Sequence, residues 1–318
     1  MLKESDLKLE TFKELKEKVI YQSNDAELDR KYESWILEPL IPFKAITILD
    51  GLGGSGKSWF ALDLAYSIGL GYDFIGKYPV KRTGPVLYVT AEEIPEEFVK
   101  RLDLITATYG DNENFYWFST LHPEFLYGST LLQKVAWNIT RTETARVLEY
   151  FISEIKPILV VLDSMVNFYG LNENDSSEAS VFYEILKGCI KTYNCSFLLL
   201  HHQNKESMKS KEDEGTFRGS IVFREQARER ITYRSIKLEN GMIARKISIE
   251  KANYYSPLIK DFPIYLRWDT GTHIYDEKLI DQVKKQEEAK KKSKDEKKNK
   301  QKEEKKKEDK TDSLNLNF

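Results

Sequence analysis

The sequence predicts an α/β fold: a mostly parallel, twisted sheet flanked by helices, with an antiparallel β extension on its C-terminal side. Three observations predict it. From about residue 45, short apolar runs alternate with amphipathic segments. The runs are continuous rather than alternating in polarity, as in strands buried on both faces. After about residue 221 the helical signals thin out and strand signals draw together.

The elements follow in chain order. Residues 1–44 form an expected N-terminal helical and extended segment. Leu7, Leu9, Phe12, Leu15 and Val19 recur at helical spacing, and two prolines break the stretch 35–42. Residues 45–275 are the expected core, with strands at 45–49, 86–90, 158–162 and 196–200 and helices at 57–71, 95–108 and 177–192. Residues 230–238 and 243–251 read as a hairpin turned at Asn240-Gly241, followed by a strand at 264–268. Residues 276–318 are an expected charged, disordered tail, almost all Lys, Glu, Asp, Gln and Asn between 284 and 310.

Composition narrows the function classes. Lys plus Arg number 49 and Asp plus Glu 51, so net charge argues neither for nor against a nucleic-acid partner. Cys189 and Cys195 lack a second pair or a flanking His, which leaves neither zinc site nor redox motif and implies free thiols. No stretch approaches the roughly 18 apolar residues of a membrane span, so a cytoplasmic protein with no membrane partner is expected.

The chemistry starts at Gly51-Leu52-Gly53-Gly54-Ser55-Gly56-Lys57-Ser58, which matches G-x-x-x-x-G-K-[ST] between a strand and a helix, the context that motif needs. Gly51, Gly53, Gly54 and Gly56 let backbone N–H groups converge on phosphates. With Ser55, Lys57, Ser58 and Trp59 they make the expected ATP-binding set. Lys57 would reach the β- and γ-phosphates and Ser58 would ligate Mg2+. Asp163, ending the apolar run from Ile158, is expected to hold the water shell of the metal. Glu92 and Glu93 end another strand, and either can orient or deprotonate an attacking water. His201 and His202 end a third, where a polar side chain can meet the γ-phosphate.

These residues resemble the RecA-like ATPases, and more closely the RepA-type hexameric replicative helicases and their AAA_25 relatives, over roughly residues 35–270. The matching blocks are the phosphate loop, Ala91-Glu92-Glu93, Val161-Leu162-Asp163-Ser164, His201-His202-Gln203-Asn204-Lys205, Arg218-Gly219-Ser220 and Lys251-Ala252-Asn253-Tyr254. The resemblance implies an ATP hydrolase that forms a homo-oligomeric, hexameric ring and moves on single-stranded DNA during replication of a plasmid, virus or mobile element. It makes Glu92 the catalytic carboxylate and His202, rather than His201, the γ-phosphate sensor. It makes Arg228 and Lys251 cations that reach the neighbouring subunit's nucleotide, with Arg224 and Arg230 as alternative arginines.

The same resemblance sends DNA to the loops at 165–177 and 203–219. Lys205, Lys209, Lys211 and Arg218 would contact phosphates, and Phe168 and Tyr169 would stack on bases, although Glu206, Glu212, Asp213 and Glu214 blunt the charge. The apolar end Leu314-Asn315-Leu316-Asn317-Phe318 is a candidate docking peptide for a replication-protein partner. A RecA-like fold also serves strand-assembly ATPases that do not unwind DNA, such as recombination mediators, and regulatory switches acting on proteins, so both remain alternatives.

Overall fold

Ile, Leu and Val runs without polar alternation need cover on both faces, and the tertiary structure supplies it. The structure is a computed structural model describing residues 33–203, 221–254, 262–269 and 271–286, together with 288, 289 and 292. The chain divides between Glu33 and Ser34 into two units, and the second holds every strand and helix among the described residues.

Its strands are β1 (Trp35–Leu37), β2 (Ile41–Pro42), β3 (Ile46–Gly51), β4 (Val86–Thr90), β5 (Phe115–Ser119), β6 (Leu132–Val135), β7 (Asn138–Arg141), β8 (Leu159–Asp163), β9 (Ser196–His202), β10 (Glu229–Lys237), β11 (Ile243–Ala252), β12 (Ile264–Asp269) and β13 (Thr272–Tyr275). Its helices are α1 (Lys57–Leu70), α2 (Pro95–Tyr109), α3 (Glu143–Ile155), α4 (Met165–Tyr169), α5 (Ser176–Tyr193) and α6 (Ile221–Gln226).

Among the described residues, nine strands form one sheet in the order β13-β12-β11-β10-β3-β9-β8-β4-β5. From β10 through β5 every pairing is parallel, and from β10 out to β13 every pairing is antiparallel. The inner parallel strands are the buried ones: every residue of β3, β4 and β8 is inside. On one face, Phe60, Leu64 and Ile68 of α1 pack with Tyr88, Val161 and Leu198. On the other, Leu148, Ile152, Phe182 and Leu186 of α3 and α5 pack with Val89, Leu162, Phe197 and Leu199. Burying each such side chain contributes about 1.5–3 kcal/mol. Among the described residues no helix is long and apolar enough to cross a membrane.

Several elements lie outside the sequence expectation. β5, Phe-Tyr-Trp-Phe-Ser, forms the outer edge of the sheet, only partly covered, so it lacks the aliphatic run that marked its neighbours. α3 has its signals, a Thr142 cap accepting from the Ala145 N–H at 3.2 Å and apolar Ala145, Leu148 and Ile152 on one side. β6 and β7 form a separate hairpin. β1 and β2 are not a peripheral lead-in: Ile36, Leu37, Leu40 and Ile41 are fully buried in the core, which starts before residue 45.

The charged tail also starts later than residue 276. Residues 277–286 are helical, with Leu279 and Val283 buried against Leu238, Ala244 and Tyr265. The Gln286 amide donates to the Lys237 carbonyl at 2.9 Å and accepts from the Glu239 N–H at 3.1 Å. The expected helix around Leu7–Val19 and the peptide ending at Phe318 lie outside the described residues.

Candidate active site

Parallel strands deliver their C-terminal ends to one edge, and β3, β4, β8 and β9 bring Gly51, Glu92, Asp163 and His202 together there. The phosphate loop begins where bare backbone is required: a Cβ on Gly51 would lie 2.3 Å from the Tyr233 carbonyl oxygen of β10. It ends at Gly56, whose φ of 101° favours glycine and which caps the start of α1.

Inside the loop, Ser55 Oγ is buried without a hydrogen-bond partner among the described residues. Lys57 is 4% exposed, and its ammonium donates to the carbonyls of Gly51 at 2.9 Å and Leu52 at 3.0 Å. Burial lowers its pKa, while Asp163, Glu92 and Asp50 pull it back up. An orphaned hydroxyl, a buried ammonium and the N-terminus of α1 form a donor set awaiting an anion, which a triphosphate fits. Gly51–Ser58 would hold ATP there, and ATP supplies the γ-phosphoryl group when bound.

Asp163 is 4% exposed and hydrogen-bonded by the Tyr88 hydroxyl at 2.8 Å and by Ser58. Burial raises its pKa, and those two hydrogen bonds oppose the rise. The Ser58 hydroxyl and Asp163 carboxylate are adjacent hard oxygen donors, a pair suited to Mg2+.

Glu92 and Glu93 separate clearly. Glu93 forms an ion pair with Arg101, which also lies 5.0 Å over the Trp59 ring. Glu92 instead faces the loop, with Oε1 3.1 Å from His202 Nε2 and 3.4 Å from Asn167 Nδ2. Its pKa is lowered, chiefly by the His202 hydrogen bond, against an opposing rise from burial. An ionised, accepting Glu92 can orient a water and take its proton.

His202 connects the two charged groups, for its Nδ1 is 3.2 Å from the Lys57 ammonium. An ammonium only donates, so Nδ1 accepts and the ring proton sits on Nε2, donating to Glu92. His201 points elsewhere, 2% exposed and paired in register with Asp50. Trp59 is half-buried, edge-on to Trp268 at 4.7 Å, and lines an open cleft of ≈ 490 Å³ with Glu92, Glu93, Ile94, Arg101 and Leu104.

The three arginines also separate. Arg230 is buried, its Nε 2.6 Å from Asp50, whose other oxygen accepts from Gln203 at 2.9 Å; this removes it as a cation for a neighbouring subunit. Arg224 and Arg228 are exposed. Arg228 N–H bonds to Ile46 O at 2.9 Å, at the opposite end of β3 from Gly51 and about 16 Å from it by strand rise. It lies too far to serve its own phosphate loop. The Lys251 ammonium donates to the carbonyls of Arg224 at 3.1 Å and Glu225 at 2.7 Å, and its pKa is lowered by burial and then by Arg228.

The expected nucleic-acid contacts fare differently. Phe168 and Tyr169 are fully buried, Tyr169 edge-on to Phe182 at 5.4 Å and to Phe223 at 5.1 Å, so neither can stack on a base. The segment read as a loop begins with α4 because its apolar residues complete the core. Lys205, Lys209, Lys211 and Arg218 lie outside the described residues.

Several neighbours of the site have no local sequence signal, among them Tyr88, Asn167 and Asp50. Nor does the buried link in which Asp63 Oδ2 accepts from the His273 N–H at 2.7 Å and lies 3.0 Å from its Nδ1, while His273 Nε2 is 2.8 Å from the Tyr233 hydroxyl. That hydroxyl faces Gly56, so the antiparallel extension braces the phosphate loop. Burial pushes the Cys189 and Cys195 thiols up to about 11 and about 12, which leaves them unreactive near neutral pH.

No curated protein matches the chain. The AAA_25 family model, an AAA domain, matches residues 13–208, which include the phosphate loop, Glu92, Asp163 and His202 and stop short of Arg228 and Lys251. That match spans more than half of the 318 residues, and with a phosphate loop, carboxylates and histidine gathered at one sheet edge the chain belongs to the AAA_25 family of P-loop ATPases.

Proposed function

We propose that this ATPase is a motor on single-stranded DNA: a ring-forming, hexameric replicative helicase of a plasmid, virus or mobile element, using ATP with Mg2+. The observation that carries the reading is the separation of parts. The loop, Glu92 and His202 occupy one edge of the sheet, while the exposed Arg228 stands about 16 Å away along β3, beyond reach of its own loop. A cation so placed suits transfer chemistry on a neighbour's nucleotide, and sites completed in that way couple hydrolysis around a closed ring.

Within one subunit the contacts support the following roles. Lys57 and the loop bind the phosphates, Ser58 and Asp163 would hold the cation, and Glu92 orients the attacking water. His202, hydrogen-bonded to both Lys57 and Glu92, is placed to pass a change at the phosphates to the segment after β9.

Steady-state ATP hydrolysis by the purified chain and by Lys57→Ala, each with and without single-stranded DNA, tests this. Stimulation by DNA that vanishes in Lys57→Ala, followed by displacement of a paired strand, is the expected result. Lys57-dependent hydrolysis indifferent to DNA would sink the motor reading and favour a switch acting on protein partners.

A further inference from the structure

Residues 125–142 contain no Asp or Glu, in a chain that has 51 of them. They include the β6–β7 hairpin, which turns at Ala136-Trp137 with Ala136 at φ 54°. Every residue from Gln133 to Asn138 is exposed, so the tip stands in solvent on both faces. Trp137 is 93% exposed, with Val135 at 54% and, in the segment leading in, Tyr127 at 49%. An indole so exposed contributes little to the fold and is suited to an external contact.

The base of the finger is fixed at the active-site edge. The chain leaves β5 at Ser119, which pairs with Thr90, and Thr120 N–H donates to Thr90 O at 2.9 Å. Leu131 N–H donates to Phe168 O at 2.7 Å, joining the finger to α4. That helix starts two residues after Asp163 and carries Asn167 against Glu92. Flanking cations, each about half exposed, sit in ion pairs, Lys134 with Glu178 at 2.7 Å and Arg141 with Glu149 at 2.9 Å.

We propose that this hairpin is a finger for single-stranded nucleic acid, with Trp137 stacking on a base. The proposal rests on the DNA-motor reading. An aromatic face accepts any base, and an acid-free tip presents no charge to repel a polyanion. Arg141 can exchange its carboxylate for a phosphate at little cost, because its ion pair with Glu149 is open to water and holds weakly, whereas Lys134 stays with the buried Glu178 and lends its charge from there. The aromatic contact is therefore supplied by the hairpin, not by the buried Phe168 and Tyr169.

The test is fluorescence anisotropy of a fluorescein-labelled oligothymidylate titrated with the full chain and a non-hydrolysable ATP analogue. Trp137→Ala weakens binding about tenfold and Trp137→Phe recovers part of it. ATP hydrolysis without DNA, and the mass by light scattering, stay at wild-type values. Unchanged affinity in Trp137→Ala overturns the finger and leaves the motor reading intact. Failure of the wild-type chain to bind overturns both, and a loss of assembly in Trp137→Ala overturns the finger by assigning the hairpin to contacts between copies.

Discussion

Glu92 and Glu93 are adjacent acids with different partners, and the partners decide their chemistry. Glu93 is tied to Arg101, whereas Glu92 accepts from His202 beside the phosphate loop. Glu92→Gln should keep nucleotide affinity and lower ATP turnover by about 10²–10⁴. Glu93→Gln should leave turnover within a few-fold of wild type. Filter binding of labelled ATP alongside a phosphate-release assay checks both, and equal losses in the two variants would refute the assignment. No residue rule separates the pair, because the choice is made by Arg101 on the next helix and His202 on another strand.

At the scale of an element, the start of β10 places three charged residues in succession with three environments. Arg230 neutralises buried Asp50, so Arg230→Ala should cost about 3–5 kcal/mol by leaving that carboxylate uncompensated. Arg228→Ala should leave the melting temperature within about a degree, and it should abolish turnover that Glu92→Gln subunits restore in mixed oligomers if the cation acts in trans. Between them, Glu229 is fully buried with neither carboxylate oxygen partnered among the described residues, and burial raises its pKa to about 9. An acid whose folded pKa lies above its unfolded value destabilises the fold as pH rises from about 4.5 to about 9, since the unfolded chain gives up its proton first. Glu229→Gln should therefore stabilise by on the order of 3 kcal/mol at pH 8 and by almost nothing at pH 4. Urea denaturation at the two pH values measures the difference, and an equal effect at both would exclude the buried carboxyl as its source.

Across the whole molecule, the antiparallel extension does more than close the sheet. Asp63 on α1, His273 on β13 and Tyr233 on β10 form one buried chain of hydrogen bonds, ending on the face of Gly56. His273→Ala removes the imidazole partner of a fully buried carboxylate, which keeps the backbone N–H of position 273 and the Tyr109 hydroxyl. It should lower stability by about 1–3 kcal/mol and weaken ATP binding as well, although no part of His273 is expected to touch nucleotide. Thermal melts and ATP titration together check this; a stability loss with unchanged affinity would show that the brace does not reach the loop.

The nucleotide chemistry and the α/β class were legible in the amino-acid sequence alone. Gly51–Ser58 is a local motif whose backbone requirements are written into consecutive residues, and parallel strands announce themselves as unbroken apolar runs. Which partners two adjacent glutamates, two adjacent histidines and the buried Arg230 meet was decided in three dimensions. Those choices depend on partners far away in sequence, such as Asp50 for Arg230 and Lys57 for His202. Packing likewise made Phe168 and Tyr169 core and left Trp137 at the surface. An aromatic residue has the same local pattern in either setting, and whether water is excluded from it is a property of what packs against it.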